Sequence, residues 1–119
     1  MFQLFYPEDL DNPHEQTSRY VALFERETIA GIGKLRKSPR DEGVYESSVS
    51  VDPIFQGKGY GRRIMKKEFE IAKEMGWKLS VIYEKEGRQR LKKIVREFVQ
   101  TYGVELIEDP LEKYAHSSE

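Results

Sequence analysis

Residues Val51–Ile64 read V-D-P-I-F-Q-G-K-G-Y-G-R-R-I, and this stretch constrains the fold more than any other. The strand-like run Val44–Val51 ends at Asp52–Pro53, because proline cannot donate to a strand ladder. Beyond Gly61, the residues Ile64, Met65, Phe69, Ala72 and Met75 recur at helical spacing, and Gly76 supplies the stop. A strand must therefore pass to a helix through a turn holding Gly57, Gly59 and Gly61 together with Lys58, Arg62 and Arg63. Glycine lets backbone N–H groups converge on one point without a Cβ in the way. The start of the helix adds unpaired donors and a partial positive charge. The combination predicts a cradle for a phosphate or pyrophosphate.

The flanking pattern sets the architecture. Phe2–Tyr6 reads as a strand stopped by Pro7, and Asp9–Ser18 as a polar loop. Tyr20–Glu25 and Ile29–Leu35, joined at Arg26–Glu27, predict a hairpin. Lys37–Gly43 is a polar loop and Val44–Val51 a third long strand. After the helix over Gly61–Met75, Trp77–Tyr83 predicts a strand. Arg88–Tyr102 places Leu91, Ile94, Val95, Phe98 and Tyr102 on one helical face, with Gly103 as its stop. Val104–Glu108 and Leu111–Ala115 read as final strands. Hairpins followed by strand–helix–strand units predict an α/β chain of the α+β type. Its central sheet is mixed and mostly antiparallel, with about six to seven strands and helices on its faces.

With 119 residues and no linker or repeat, positions 1–119 are expected to form a single domain. The 20 Lys+Arg nearly cancel the 21 Asp+Glu, so an anion site must be local and a global drive toward nucleic acid is absent. The turn and helix bearing Lys58, Arg62, Arg63, Lys66 and Lys67 also carry Glu68 and Glu70, which argues against a phosphate track. The stripe Arg88, Arg90, Lys92, Lys93 and Arg96 is read as the solvated face of the second helix. There is no cysteine for a thiolate or a zinc site, and His14 and His116 lack metal-ligand spacing. No apolar run approaches the ~20 residues that span a bilayer. The start, MFQLFYPEDL, lacks the basic region of a signal peptide. A cytoplasmic protein without membrane association is expected.

Two phosphate loops are excluded by spacing. A dinucleotide fingerprint would need glycine where Arg62 or Ile64 stands, and no G-x-x-x-x-G-K-[ST] string occurs. Val51-x-Pro53-x-x-Gln56-x-x-Gly59-x-Gly61 instead resembles the acetyl-CoA-binding motif of the GCN5-related N-acetyltransferases, V-x-P-x-x-[Q/R]-x-x-G-x-[G/A]. The upstream Thr28–Gly31 and the element order over Tyr20–Glu108 agree with that family. The resemblance implies acetyl-CoA as co-substrate, without a metal, and transfer of its acetyl group to a primary amine by direct attack. Main-chain groups of Val49, Ser50 and Val51 would meet the pantetheine arm. Gln56, Gly57, Lys58, Gly59, Tyr60, Gly61 and Arg62 would hold the pyrophosphate.

The chain also departs from that family. Members usually place two helices between the first two strands, whereas Pro7–Arg19 here leaves thirteen residues. An open acceptor side suits a protein lysine or N-terminus, or a homodimer that completes the site. The N-x-x-A-x-x-L-Y pattern is missing from Glu84–Gly103, and Tyr102 is in phase with core positions. The candidate base is Glu46, five residues before Val51, which needs a bulge in its strand to face the site. Tyr83 is the candidate acid, ahead of Tyr45. The competing reading is a CoA-binding regulatory module that has lost turnover.

Overall fold

The computed structural model describes residues 2–5, 18–83 and 87–107. Over these residues the sheet has five strands in chain order: β1 (Phe2–Phe5), β2 (Ser18–Glu25), β3 (Thr28–Lys37), β4 (Val44–Val51) and β5 (Lys78–Val81). The first four pair antiparallel, and β4 pairs parallel with β5. The mixed, mostly antiparallel character matches the sequence expectation. The strand number does not. Val104–Glu108 is expected to form a sixth strand, but its described part, residues 104–107, contributes one isolated parallel bridge, Leu79 to Leu106. Leu79 exchanges two hydrogen bonds there, accepting from Ile107 N–H at 2.7 Å and donating to Glu105 C=O at 3.0 Å. With only four residues, β5 offers little outer edge to pair with. The predicted loop at Asp9–Ser18 (apart from Ser18, which begins β2) and the predicted strand at Leu111–Ala115 lie outside the described residues.

Among the described residues two α-helices occur, and both cover the same face of the sheet instead of lying on its two faces as the sequence reading expects. Helix α1 (Tyr60–Met75) buries Ile64, Met65, Glu68, Phe69, Ile71 and Ala72. Helix α2 (Arg88–Tyr102) buries Val95 and Phe98, and both helices end on left-handed glycines, Gly76 and Gly103. They meet the sheet residues Val21, Leu35, Leu79 and Val81 in one apolar core. Tyr102 packs there against Phe69 and Phe98, at ring-centroid distances of 6.4 and 5.9 Å. Its helical phase foretold that place. Burial raises its hydroxyl pKa.

The fit of α1 on the sheet depends on Gly33. This residue stands in a cross-strand row with Val21 and Val49. A Cβ there would lie 2.5 Å from Ile64 Cγ2 and 3.0 Å from Glu68 Cδ. The space that a side chain would fill is occupied by the helix, including a fully buried carboxyl.

Candidate functional site

Backbone pairing creates the site before any side chain does. Strand β4 pairs with β5 only from Val44 to Ser47; the last link is Ile82 N–H to Ser47 C=O at 2.8 Å. Beyond it the strands part, while β4 runs on to Val51. Backbone groups alternate in direction along a strand, and Gly43 and Ser47 point theirs toward β5. Val49 and Val51 therefore do the same. Among the described residues no strand pairs with them on that side, so Val49 N–H and C=O and Val51 N–H face an open edge. Such an edge accepts an extended, strand-like ligand.

The turn after β4 is tightly built. Asp52 N–H returns to Ala30 C=O at 2.9 Å, and Asp52 Oδ1 accepts from Ile54 N–H at 3.1 Å to start a 3₁₀ turn, Pro53–Phe55. Gln56 Nε2 donates to Val51 C=O at 3.4 Å, which folds the chain back over the strand end. Gly59 then begins α1 with φ of 79° and no side-chain cap. The first-turn N–H groups are thus left for an outside acceptor. No atom lies within 4 Å of where a Cβ on Gly59 would stand, so this glycine is needed for its backbone angle.

The edge and the turn open into one cleft of about 640 Å³. Its near wall contains Val49, Ser50, Val51, Gln56, Gly57, Gly59, Tyr60, Gly61 and Arg62. These are the positions that the sequence resemblance assigned to the ligand, apart from Lys58. The far wall is α2, through Gly87, Arg90, Leu91, Lys93, Ile94 and Glu97. Sequence reasoning missed that wall. The basic stripe was visible, but nothing local signalled that Arg90 and Lys93 turn toward the glycine loop.

Carboxylates brace both cations first assigned to the loop. Arg62 makes two bonds to Glu97, at 2.6 and 2.9 Å, and lies over the Phe98 ring, 5.0 Å from its centroid. The guanidinium holds the Glu97 carboxyl below its ordinary pKa. Lys58 Nζ meets Glu25 at 3.3 Å, and the Tyr60 hydroxyl donates to the same carboxylate at 2.7 Å. The Tyr60 bond, with Lys58 adding charge, lowers the Glu25 pKa. Glu25 therefore ties the β2–β3 turn to the glycine loop.

The two catalytic candidates stand outside the cleft lining. The β3–β4 register runs unbroken from Gly31–Val51 to Lys37–Tyr45, so β4 carries no bulge along it; the irregularity is at Leu23–Phe24 in β2. By alternation Glu46 lies on the sheet face opposite α1 and α2, paired in register with Arg36 and Ser80. Tyr83 packs against the core beyond the end of β5, with Lys92 Nζ 5.5 Å from its ring centroid. Tyr45 stacks on Trp77 at 3.7 Å, which accounts for its place.

The sequence profile of the acetyltransferase (GNAT) family matches residues 2–92, most of the chain. The chain belongs to the GNAT acetyltransferase family. No curated protein sequence matches it. Among solved structures, this GNAT chain is similar to an IAA acetyltransferase from Bacillus cereus, with a TM-score of 0.64 and 17% identity over 82% of this chain and 73% of the other. It is also similar to Tetrahymena GCN5, with a TM-score of 0.57 and 17% identity over 66% of this chain and 51% of the other. The spermidine/spermine N-acetyltransferase SpeG of Vibrio cholerae gives a TM-score of 0.57 and 15% identity over 76% and 53%. At these identities the likeness is one of fold. The chain spans about half the length of the last two structures.

Proposed function

We propose that this protein is an acetyl-CoA-dependent N-acetyltransferase acting on a primary amine. The observation that carries the reading is the free edge of β4 at Val49 and Val51, which leads directly into the glycine turn. An extended pantetheine arm pairs with the edge, and a pyrophosphate takes the N–H groups at the start of α1. The residues present fit acetyl-CoA, because no atom lies within 4 Å of where a Cβ on Gly57 or Gly59 would stand and no side chain caps the first turn of α1. In the reaction the amine nitrogen bonds to the thioester carbon, the C–S bond breaks with its electron pair on sulfur so that CoA leaves as the thiolate and takes up a proton, and the amine proton passes to a base. An N–H on the open β4 edge is placed to stabilise the carbonyl oxygen as it gains charge.

Glu46 lies on the face opposite the helices, one residue before the β4–β5 pairing ends, so an amine approaching the split from that face meets it. A protein lysine or N-terminus suits such an approach. The protein is expected in the cytoplasm. Steady-state acetylation of peptide amines above the uncatalysed rate, lowered at least tenfold by Glu46→Gln, tests the reading. A rate that never exceeds the uncatalysed one contradicts it. The second reading, a CoA-binding module without turnover, draws support from one observation: neither Glu46 nor Tyr83 lines the cleft.

A further inference from the structure

The cleft has two walls of different character. On the glycine side, Arg62 and Lys58 are each held by a carboxylate. On the α2 side, Arg90 and Lys93 line the same cleft, exposed, with no ion pair among the described residues. They lie three residues apart, so they share one face of the helix. That face bears two positive charges toward a space whose opposite wall is the phosphate-accepting turn. A single diphosphate seated on the turn leaves this second charged wall without a partner. A ligand carrying a further phosphate beyond its diphosphate would satisfy both walls at once.

We propose that Arg90 and Lys93 form a second anion subsite, which takes the 3′-phosphate on the ribose of coenzyme A and so selects CoA over its 3′-dephospho form. This inference rests on the proposed function, because it assigns one end of the same co-substrate. Both side chains have the reach to meet a phosphate across the cleft. Each carries its charge on a long flexible stem, and arginine matches phosphate oxygens with two parallel donors. Glu97, the acidic member of the α2 wall, has its charge engaged by Arg62. It therefore competes little for the incoming phosphate. A phosphomonoester gains its second negative charge near pH ~6, so the selection strengthens as pH rises through that value. Higher salt weakens it, because both cations are exposed.

The test is titration calorimetry of the wild type and of the double variant Arg90→Gln/Lys93→Gln, with CoA and with 3′-dephospho-CoA. Both residues are exposed on a helix surface, so the variant is expected to keep the wild-type thermal midpoint. The wild type is expected to bind CoA roughly five- to tenfold more tightly than the dephospho form, as two exposed charge contacts allow. The variant is expected to bind the two ligands equally, with its affinity for dephospho-CoA unchanged. No preference in the wild type overturns the inference. So does an equal loss of affinity for both ligands in the variant, which would place the cations on the diphosphate instead. If the wild type binds neither ligand, the CoA reading of the cleft itself falls, and this inference with it.

Discussion

Gly33 lies beneath helix α1 and Gly59 stands at its start, and they are needed for opposite reasons. At Gly33 the space is full: a Cβ would collide with Ile64 and Glu68, while the backbone is ordinary strand. At Gly59 the space is empty, and the backbone angle of 79° is what excludes other residues. One glycine lets the helix settle on the sheet. The other leaves its first turn open to an acceptor. Packing and binding are thus separable in this molecule, although both concern the same helix.

The sharpest way to break that contrast is Gly33→Ala. Forcing a methyl group into a filled site is expected to cost about 2–3 kcal/mol, seen as a lower urea midpoint. Ligand affinity of the folded fraction should be unchanged. Loss of affinity without loss of stability would overturn the assignment.

Glu68 probes the same packed side. Its carboxyl is buried with no hydrogen-bond partner among the described residues, since the nearby Ser47 hydroxyl turns to Met65 Sδ at 3.7 Å, and burial pushes its pKa well above the ordinary value. The folded state therefore holds this proton more tightly than the unfolded chain does. The stability tied to that proton is full below the unfolded pKa of 4.5 and is lost as pH rises toward the folded value. Glu68→Met keeps the volume and removes the charge. The variant should gain on the wild type from pH 4.5 upward, by at most about 1.4 kcal/mol per pH unit. Parallel stability profiles for the two proteins would show that the carboxyl is not held neutral.

On the open side, Gly59→Ala should cost about 1–2 kcal/mol for a left-handed alanine. It should also weaken acetyl-CoA binding by tenfold or more, measured by calorimetry, because the converging N–H groups shift. Gly61→Ala is the mildest change. Its Cβ would meet Val51 and Val49 at 3.8 and 3.9 Å, ordinary contact distances. Stability and affinity should both stay near wild type. A large loss would show that the cradle is tighter there than its geometry indicates.

Much of this fold is legible in the sequence where a signal is periodic or carried by a breaker. Strand β4 ends where Asp52–Pro53 says it must, and α2 occupies Arg88–Tyr102 as its apolar spacing requires. The glycine turn is legible because its residue types admit few backbone paths. Contacts between distant segments are not legible in this way. Lys58 finds Glu25 across 33 residues, and Arg62 finds Glu97 across 35. Whether the basic stripe of α2 faces solvent or the cleft depends on how α2 lies against α1, which no local pattern encodes. Glu68 reads as an ordinary polar position on a helix until Gly33, on strand β3, makes room for the helix to press down on the sheet.

The most direct test of the central claim is calorimetric titration of acetyl-CoA into the wild type and into Gly59→Glu, with Gly33→Ala as the packing control. The account predicts micromolar binding by the wild type, loss of binding in Gly59→Glu, and wild-type affinity in the folded control. Equal binding by Gly59→Glu and the wild type would contradict it, because the glycine turn could not then be where the pyrophosphate is held.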